Sequence, residues 1–109
     1  MMETNTAVRI LSVLAHEGRL LLLQTLVQAG EGGSSVSALA GAIGQNVKTV
    51  SAQLQLMADA ELVRARREGK QMIYHAEFET LGVLFAFIMH DCCAGDEGLR
   101  RTVQRACSC

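Results

Sequence analysis

Apolar side chains recur along this chain at helical spacing, then at strand spacing, then at helical spacing again. Thr4 or Thr6 is placed to cap a first helix, with Val8, Leu11 and Leu14 or Ala15 on its apolar stripe. A break at His16 to Gly18 leads into a second, leucine-rich helix over residues 19–29. Leu20, Leu23 and Val27 or Leu26 mark its expected buried face, although the run is apolar almost all round. Gly30, Gly32, Gly33, Ser34 and Ser35 read as a loop. Ser37 can cap a short third helix reaching Ile43, with Leu39 and Ile43 facing inward, and Gly44, Gln45 and Asn46 form a tight turn. A fourth helix runs from Val47 to about Ala60, because Val50, Leu54 and Met57 fall at i, i+4 and i+7.

The period then changes. Val63, Ala65 and Arg67 alternate with Arg64 and Arg66, and Met72 and Tyr74 alternate with Ile73 and His75. Between them Glu68, Gly69 and Lys70 carry a glycine suited to positive φ, so the segment predicts a β-hairpin. Helical spacing returns over residues 77–91, with Leu81, Leu84 or Phe85, Ile88 and Met89 apolar. That helix is too apolar for a lone surface element and is expected to bury one side against a second subunit. Ala94, Gly95, Asp96 and Gly98 end it, and Leu99, Val103 and Ala106 can support a short tail helix.

Composition agrees with a mainly helical chain: proline is absent, aromatics are few, and Leu, Ala and Val abound. A length of 109 residues suits one domain with a modest core. No apolar run reaches transmembrane length and no signal pattern opens the chain, so a cytoplasmic protein with no membrane partner is expected. The sequence holds no catalytic constellation: His16, His75 and His90 are scattered, and no serine or cysteine sits beside a candidate base. An enzyme is not expected.

Two short helices joined by a glycine-containing turn are the sequence form of a helix-turn-helix, and the following hairpin makes it winged. In that fold the fourth helix enters the major groove and the hairpin tip reaches the backbone or minor groove. Gln45, Lys48, Thr49, Ser51 and Gln53 are neutral or basic groups suited to base edges and phosphates. The formal net charge is only −1, but Arg64, Arg66, Arg67 and Lys70 face a single Glu68, a local +3. Arg66, Arg67 and Lys70 would add sequence-independent attraction that weakens with salt. A polar helix face alone is usually a solvated face, and a basic hairpin alone is often a solubilised edge. In this order and spacing the two together favour double-stranded DNA.

All four cysteines lie near the C-terminus: Cys92 and Cys93 are adjacent, and Cys107 and Cys109 form a C-x-C. In a reducing compartment such a cluster points to a soft-metal or redox site rather than a disulfide framework. The expected division is residues 1–93 as the DNA-binding and dimerisation domain and residues 94–109 as a cysteine-bearing tail.

Three stretches carry a resemblance to a known family. Leu14-Ala15-His16-Glu17-Gly18-Arg19-Leu20 is similar to its second-helix start. Val50-Ser51-Ala52-Gln53-Leu54-Gln55-Leu56-Met57 with Leu62-Val63 resembles its recognition helix, and Arg66-Arg67-Glu68-Gly69-Lys70 with Tyr74 resembles its wing. The family is the ArsR/SmtB group of metal-responsive bacterial repressors, and the resemblance covers roughly residues 8–93. Ala52 and Gln53 stand where the family often has histidine or another large polar residue, and Glu61 where a glycine is usual. The resemblance implies a homodimer through the first and last main helices, bound to an inverted-repeat operator and released by an inducer.

The vicinal cysteines resemble the arsenic-sensing members. That likeness implies trivalent arsenic or antimony held by Cys92 and Cys93, with Cys107 or Cys109 as third thiolate; all four sulfurs can alternatively make a tetrahedral zinc or cadmium site. A second family site would use Glu77, Glu79, His90 and Cys93 and is the weaker match, two expected nitrogen ligands being replaced. A thiol-redox or persulfide sensor on the same scaffold is the runner-up, followed by a zinc-stabilised interaction module that never meets DNA. Adjacent helical residues point about 100° apart, so Cys92 and Cys93 cannot grip one ion inside a regular helix. Binding is expected to unwind the last turn and fold the tail back. Closing the loop from Cys93 to Cys107 costs roughly 2 kcal/mol plus a constant in chain entropy.

Overall fold

The computed structural model describes residues 2–91 and 97–107, with the backbone alone for residues 90, 91 and 107. The order is α1 (Thr4–Leu14), α2 (Glu17–Ala29), a 3₁₀ turn (Gly30–Gly32), β1 (Ser34–Ser35), α3 (Val36–Ile43) and α4 (Val47–Asp59). Strands β2 (Val63–Glu68) and β3 (Gln71–Ala76) follow, then α5 (Phe78–Ala86), a π-helical turn (Phe87–Asp91) and α6 (Glu97–Cys107). The chain is a mainly helical winged helix-turn-helix with a small antiparallel sheet.

The helix starts follow local capping chemistry. His16 stands at the N-cap of α2, and its Nδ1 accepts the N–H groups of Gly18 at 3.1 Å and Arg19 at 3.4 Å. That starts α2 at Glu17, two residues earlier than the sequence predicts. Ser35, not Ser37, caps α3 by accepting the Ala38 N–H at 3.1 Å. Asn46 caps α4 by accepting the Thr49 N–H at 2.8 Å. Neither Thr4 nor Thr6 caps α1: Glu3 holds the cap position without a side-chain bond.

The expected loop at Gly30–Ser35 contains a strand. Ser34 pairs with Tyr74 and Ser35 with Ile73, so β1 adds a third strand to the hairpin in the order β1-β3-β2. Gly33 allows this close approach. Its φ is 71°, and a Cβ there would meet the Tyr74 carbonyl oxygen at 2.3 Å. The wing closes through Gly69 (φ 62°) and Lys70, with Glu68 opposite Gln71.

The core lies where α2, α3 and α4 meet the sheet. Leu22, Leu26, Leu39, Val50, Leu54 and Met57 are all fully buried there. The α4 stripe therefore faces inward as its spacing predicts. The α1 stripe does not: Ala7 and Ile10 are buried, while Val8 and Leu11 are exposed. On α2, Leu23 and Leu26 face inward as the spacing allows, but Leu20 and Val27 are exposed and Leu22 takes their place. Both helices carry two apolar faces, and tertiary contact selects one. On α5, Leu81 and Leu84 are buried and Phe85 is outward. The strict strand alternation is also broken, since Ile73 and Tyr74 are both buried while Met72 and Ala65 are exposed.

Helix α4 ends in a Schellman motif. The Leu62 N–H donates to Met57 O and the Glu61 N–H to Ala58 O, each at 2.9 Å. The buried Met57 and Leu62 supply its hydrophobic contact. The motif needs a left-handed residue, and Glu61 occupies it at φ 60°. Left-handed backbone costs an L residue about 1–2 kcal/mol, partly offset by the greater flexibility of unfolded glycine. Glu61→Gly is therefore expected to raise stability by roughly 0.5–1 kcal/mol, read as a higher urea midpoint at unchanged slope.

Candidate nucleic-acid interface

Helix α4 presents one buried and one open side. Gln45, Lys48 and Ser51 are exposed, and Thr49 and Gln53 are half-buried. The Asn46 cap leaves the positive end of the α4 dipole at the surface beside Gln45 and Lys48, a favourable place for phosphate. Gln53 is not a free side chain. Its Oε1 accepts from Arg19 Nη1 at 2.7 Å, so it is tied to the start of α2.

The four wing cations divide into two kinds. Arg64 pairs with Glu77 at the start of α5. Arg66 pairs with Glu68 at 2.6 Å and also donates to Gly32 O at 2.7 Å and Glu31 O at 3.4 Å. Arg66 thus clamps the wing to the turn before β1, a structural use that the sequence does not disclose. Arg67 and Lys70 are exposed at the tip and make no ion pair among the described residues. The uncompensated charge of the wing is concentrated on these two.

Two arginines link α1 to α4. Arg9 donates through Nη2 to Asp59 O, the last α4 carbonyl, and Arg19 donates through Nε to Val13 O while holding Gln53. Among the described residues most of the large apolar side chains left exposed lie on α1, α2 and α5, the others being Val47, Leu56, Met72 and Val103. Val8 and Phe85 are 56% and 58% exposed. Leu20, Leu23, Val27, Phe78, Leu81 and Phe85 line a groove of about 710 Å³ between α2 and α5, with Gln24 and Gln28 as its polar members.

Of the candidate ligands, Cys92, Cys93 and Cys109 and the side chains of Cys107 and His90 lie outside the described residues, as does the expected boundary at 93/94. Glu77 is engaged by Arg64, and Glu79 is exposed in the first turn of α5. Among the described residues no three His, Cys, Asp or Glu side chains converge on a metal-sized site. The π-helical turn at Phe87–Asp91 runs up to Cys92, so the regular α5 ladder ends before the vicinal pair. No single helix among the described residues is long and apolar enough to cross a membrane.

The fold and this surface define a winged helix-turn-helix of the DNA-binding type. The family model described as HVO_A0114 matches residues 10–83, more than half of the chain. The chain is 40% identical over 80 residues to the HTH-type transcriptional regulator Rv0324 of Mycobacterium tuberculosis, covering 73% of this chain but only 34% of that relative. The homodimeric winged helix-turn-helix DNA-binding domain of Mb0332 from Mycobacterium bovis, a possible ArsR-family transcriptional regulator, is 36% identical. Its TM-score is 0.65, with 89% of this chain and 84% of that chain covered. The antimony-specific transcriptional repressor AntR is also 36% identical, with a TM-score of 0.65 over 79% of this chain and 77% of its own. The chain belongs to the ArsR family of winged-helix transcriptional regulators.

Proposed function

We propose that the chain is a metalloid-responsive repressor. Two copies read an inverted-repeat operator through paired α4 helices. They release it when trivalent arsenic or antimony binds the thiolates of Cys92 and Cys93 with Cys107 or Cys109. The reading rests on one observation above the others: α4 presents open polar residues from a capped N-terminus, beside a wing on which Arg67 and Lys70 make no ion pair among the described residues. Gln45, Lys48, Thr49, Ser51 and Gln53 are assigned to base edges and nearby phosphates, and Arg67 and Lys70 to the backbone. Arg66, half-engaged by the turn before β1, adds charge from a fixed position.

The exposed apolar residues of α1 and α5 support a homodimer, and the similar Mb0332 domain is homodimeric. Four thiols within the last eighteen residues form a donor set suited to a soft, pyramidal ion. Similarity to an antimony-specific repressor favours a metalloid over an oxidant. The π-helical turn before Cys92 supports a helix end that can rearrange around the ion. Because α5 would pair the subunits, its distortion alters the spacing of the two α4 helices. A coupling of ~1–3 kcal/mol gives a 5- to 150-fold loss of operator affinity.

The test is a gel shift against the upstream intergenic duplex. Binding should weaken steeply with salt and be reversed by arsenite or antimonite. Cys92→Ser and Cys93→Ser should keep operator affinity within about twofold and lose the release. A wild-type chain without salt-sensitive binding would sink the repressor reading. Serine variants that still dissociate normally would move the inducer site elsewhere. Release by zinc or cadmium alone would favour the tetrahedral site, and a covalent bridge seen by mass spectrometry after persulfide treatment would favour the redox sensor.

A further inference from the structure

Gln53 carries an amide whose two ends have opposite hydrogen-bonding character, and the fold decides which end is free. We infer that Arg19 is a positioning residue that fixes the Gln53 amide with its NH2 end free on the α4 surface, and so biases which base edges this position reads. The inference rests on the α4 reading above and goes beyond it in assigning a specificity determinant outside α4.

A guanidinium has donors and no acceptor, so the group 2.7 Å from Arg19 Nη1 must be the Gln53 carbonyl oxygen. The amide cannot flip without setting N–H against N–H. Arg19 is itself held at two further points. Its backbone N–H donates to His16 Nδ1 at 3.4 Å, and its Nε donates to Val13 O in the last turn of α1. That carbonyl belongs to the group a helix end leaves without an internal partner. The outer end of Gln53 is open. Among the described residues no buried side-chain nitrogen or oxygen lacks a partner, and Gln53 Nε2 has none, so it reaches solvent.

The chemical consequence is restrictive. Glutamine usually reads adenine with both ends, accepting from N6 and donating to N7. Here Arg19 takes one of the oxygen's two lone pairs and holds that end of the amide, leaving the NH2 group as the end free to turn to a base. That group suits guanine O6 and N7 or thymine O4; adenine offers it N7 alone with the N6 amino group set against it, and cytosine offers only the N4 donor. A free glutamine would meet adenine or guanine by rotating its amide. With Arg19 in place guanine, which offers two acceptors, is favoured over adenine, which offers one.

The experiment is selection of binding sites from randomised duplexes by the full chain. Wild type, Arg19→Ala, Gln53→Ala and the double variant are compared, with side-chain amide spectra of each free protein. Wild type should prefer guanine or thymine over adenine at one position of each half-site by about tenfold. Arg19→Ala should erase that preference at the same position and leave the others. Gln53→Ala should erase it too, and the double variant should add nothing further. The Gln53 amide signals should move in Arg19→Ala. Gln53→Glu keeps a partner for Arg19 while deleting the donor, so it should lose the preference even if Arg19→Ala folds poorly. Uniform weakening of all duplexes by Arg19→Ala, an unchanged base preference, or unmoved amide signals would overturn the inference. Absence of duplex binding by the wild type would instead remove the α4 reading, and this assignment with it.

Discussion

Leu54→Ala is expected to lower stability by about 2–5 kcal/mol, a large share of what a domain of this size has. Leu54 is fully buried in the centre of α4, between Val50 and Met57. Truncation removes its transfer free energy and leaves a cavity where helices and sheet meet, too constrained to collapse. The melting temperature should fall by roughly 10–25 °C, and operator binding should fail with it, because α4 loses its seat. Leu56→Ala is the control. Leu56 is 48% exposed on the same helix, and its loss should change stability by no more than about 0.5 kcal/mol. Equal effects at the two positions would mean that α4 is oriented differently about its axis.

Gly33→Ala is expected to cost about 2–5 kcal/mol, from backbone strain and overpacking together. With φ at 71° and ψ at −162°, Gly33 occupies a region that is almost glycine's alone. The added methyl would press on the Tyr74 carbonyl oxygen at 2.3 Å and on Ile73 Cγ2 at 3.1 Å. Backbone atoms cannot swing aside as a flexible side chain can, so β1 must leave β3. Gly32→Ala meets nothing within 4 Å and has no positive φ, and should lack this cost. Urea midpoints of the two variants make the comparison. A Gly33→Ala protein as stable as Gly32→Ala would mean that β1 does not pair as described.

The parts legible in the sequence were those where one periodicity had one solution. In α4, Val50, Leu54 and Met57 are the only apolar stripe that closes on itself, and all three are buried. The wing was legible because Gly69 supplies the positive φ that its two-residue turn needs. In α1 the sequence offers two stripes, Ala7 with Ile10 and Val8 with Leu11, and helical spacing cannot rank them. The strand β1 was illegible for another reason. It pairs through the backbone of two serines, and the residue that makes this feasible acts by lacking a side chain. In the candidate site, the exposure of Gln45, Lys48 and Ser51 follows from the stripe opposite them. The engagement of Gln53 and Arg66 does not, since their partners Arg19 and Gly32 are distant in sequence and joined only by folding. A histidine cap such as His16 also escapes the usual search for Ser, Thr, Asp and Asn.

The short strand β1 has a kinetic meaning as well. Ser34 and Tyr74 pair across a segment that contains all of α3, α4 and β2. Joining ends some 40 residues apart costs roughly 3 kcal/mol plus a constant, against the return from a two-residue ladder. That closure becomes favourable only after the helices and the hairpin have condensed and shortened the path. Contacts made so late leave the folding rate almost untouched and act on the rate of escape from the native state. β1 is thus expected to act as a latch on the winged helix-turn-helix, its loss raising the unfolding rate and leaving the folding rate nearly unchanged.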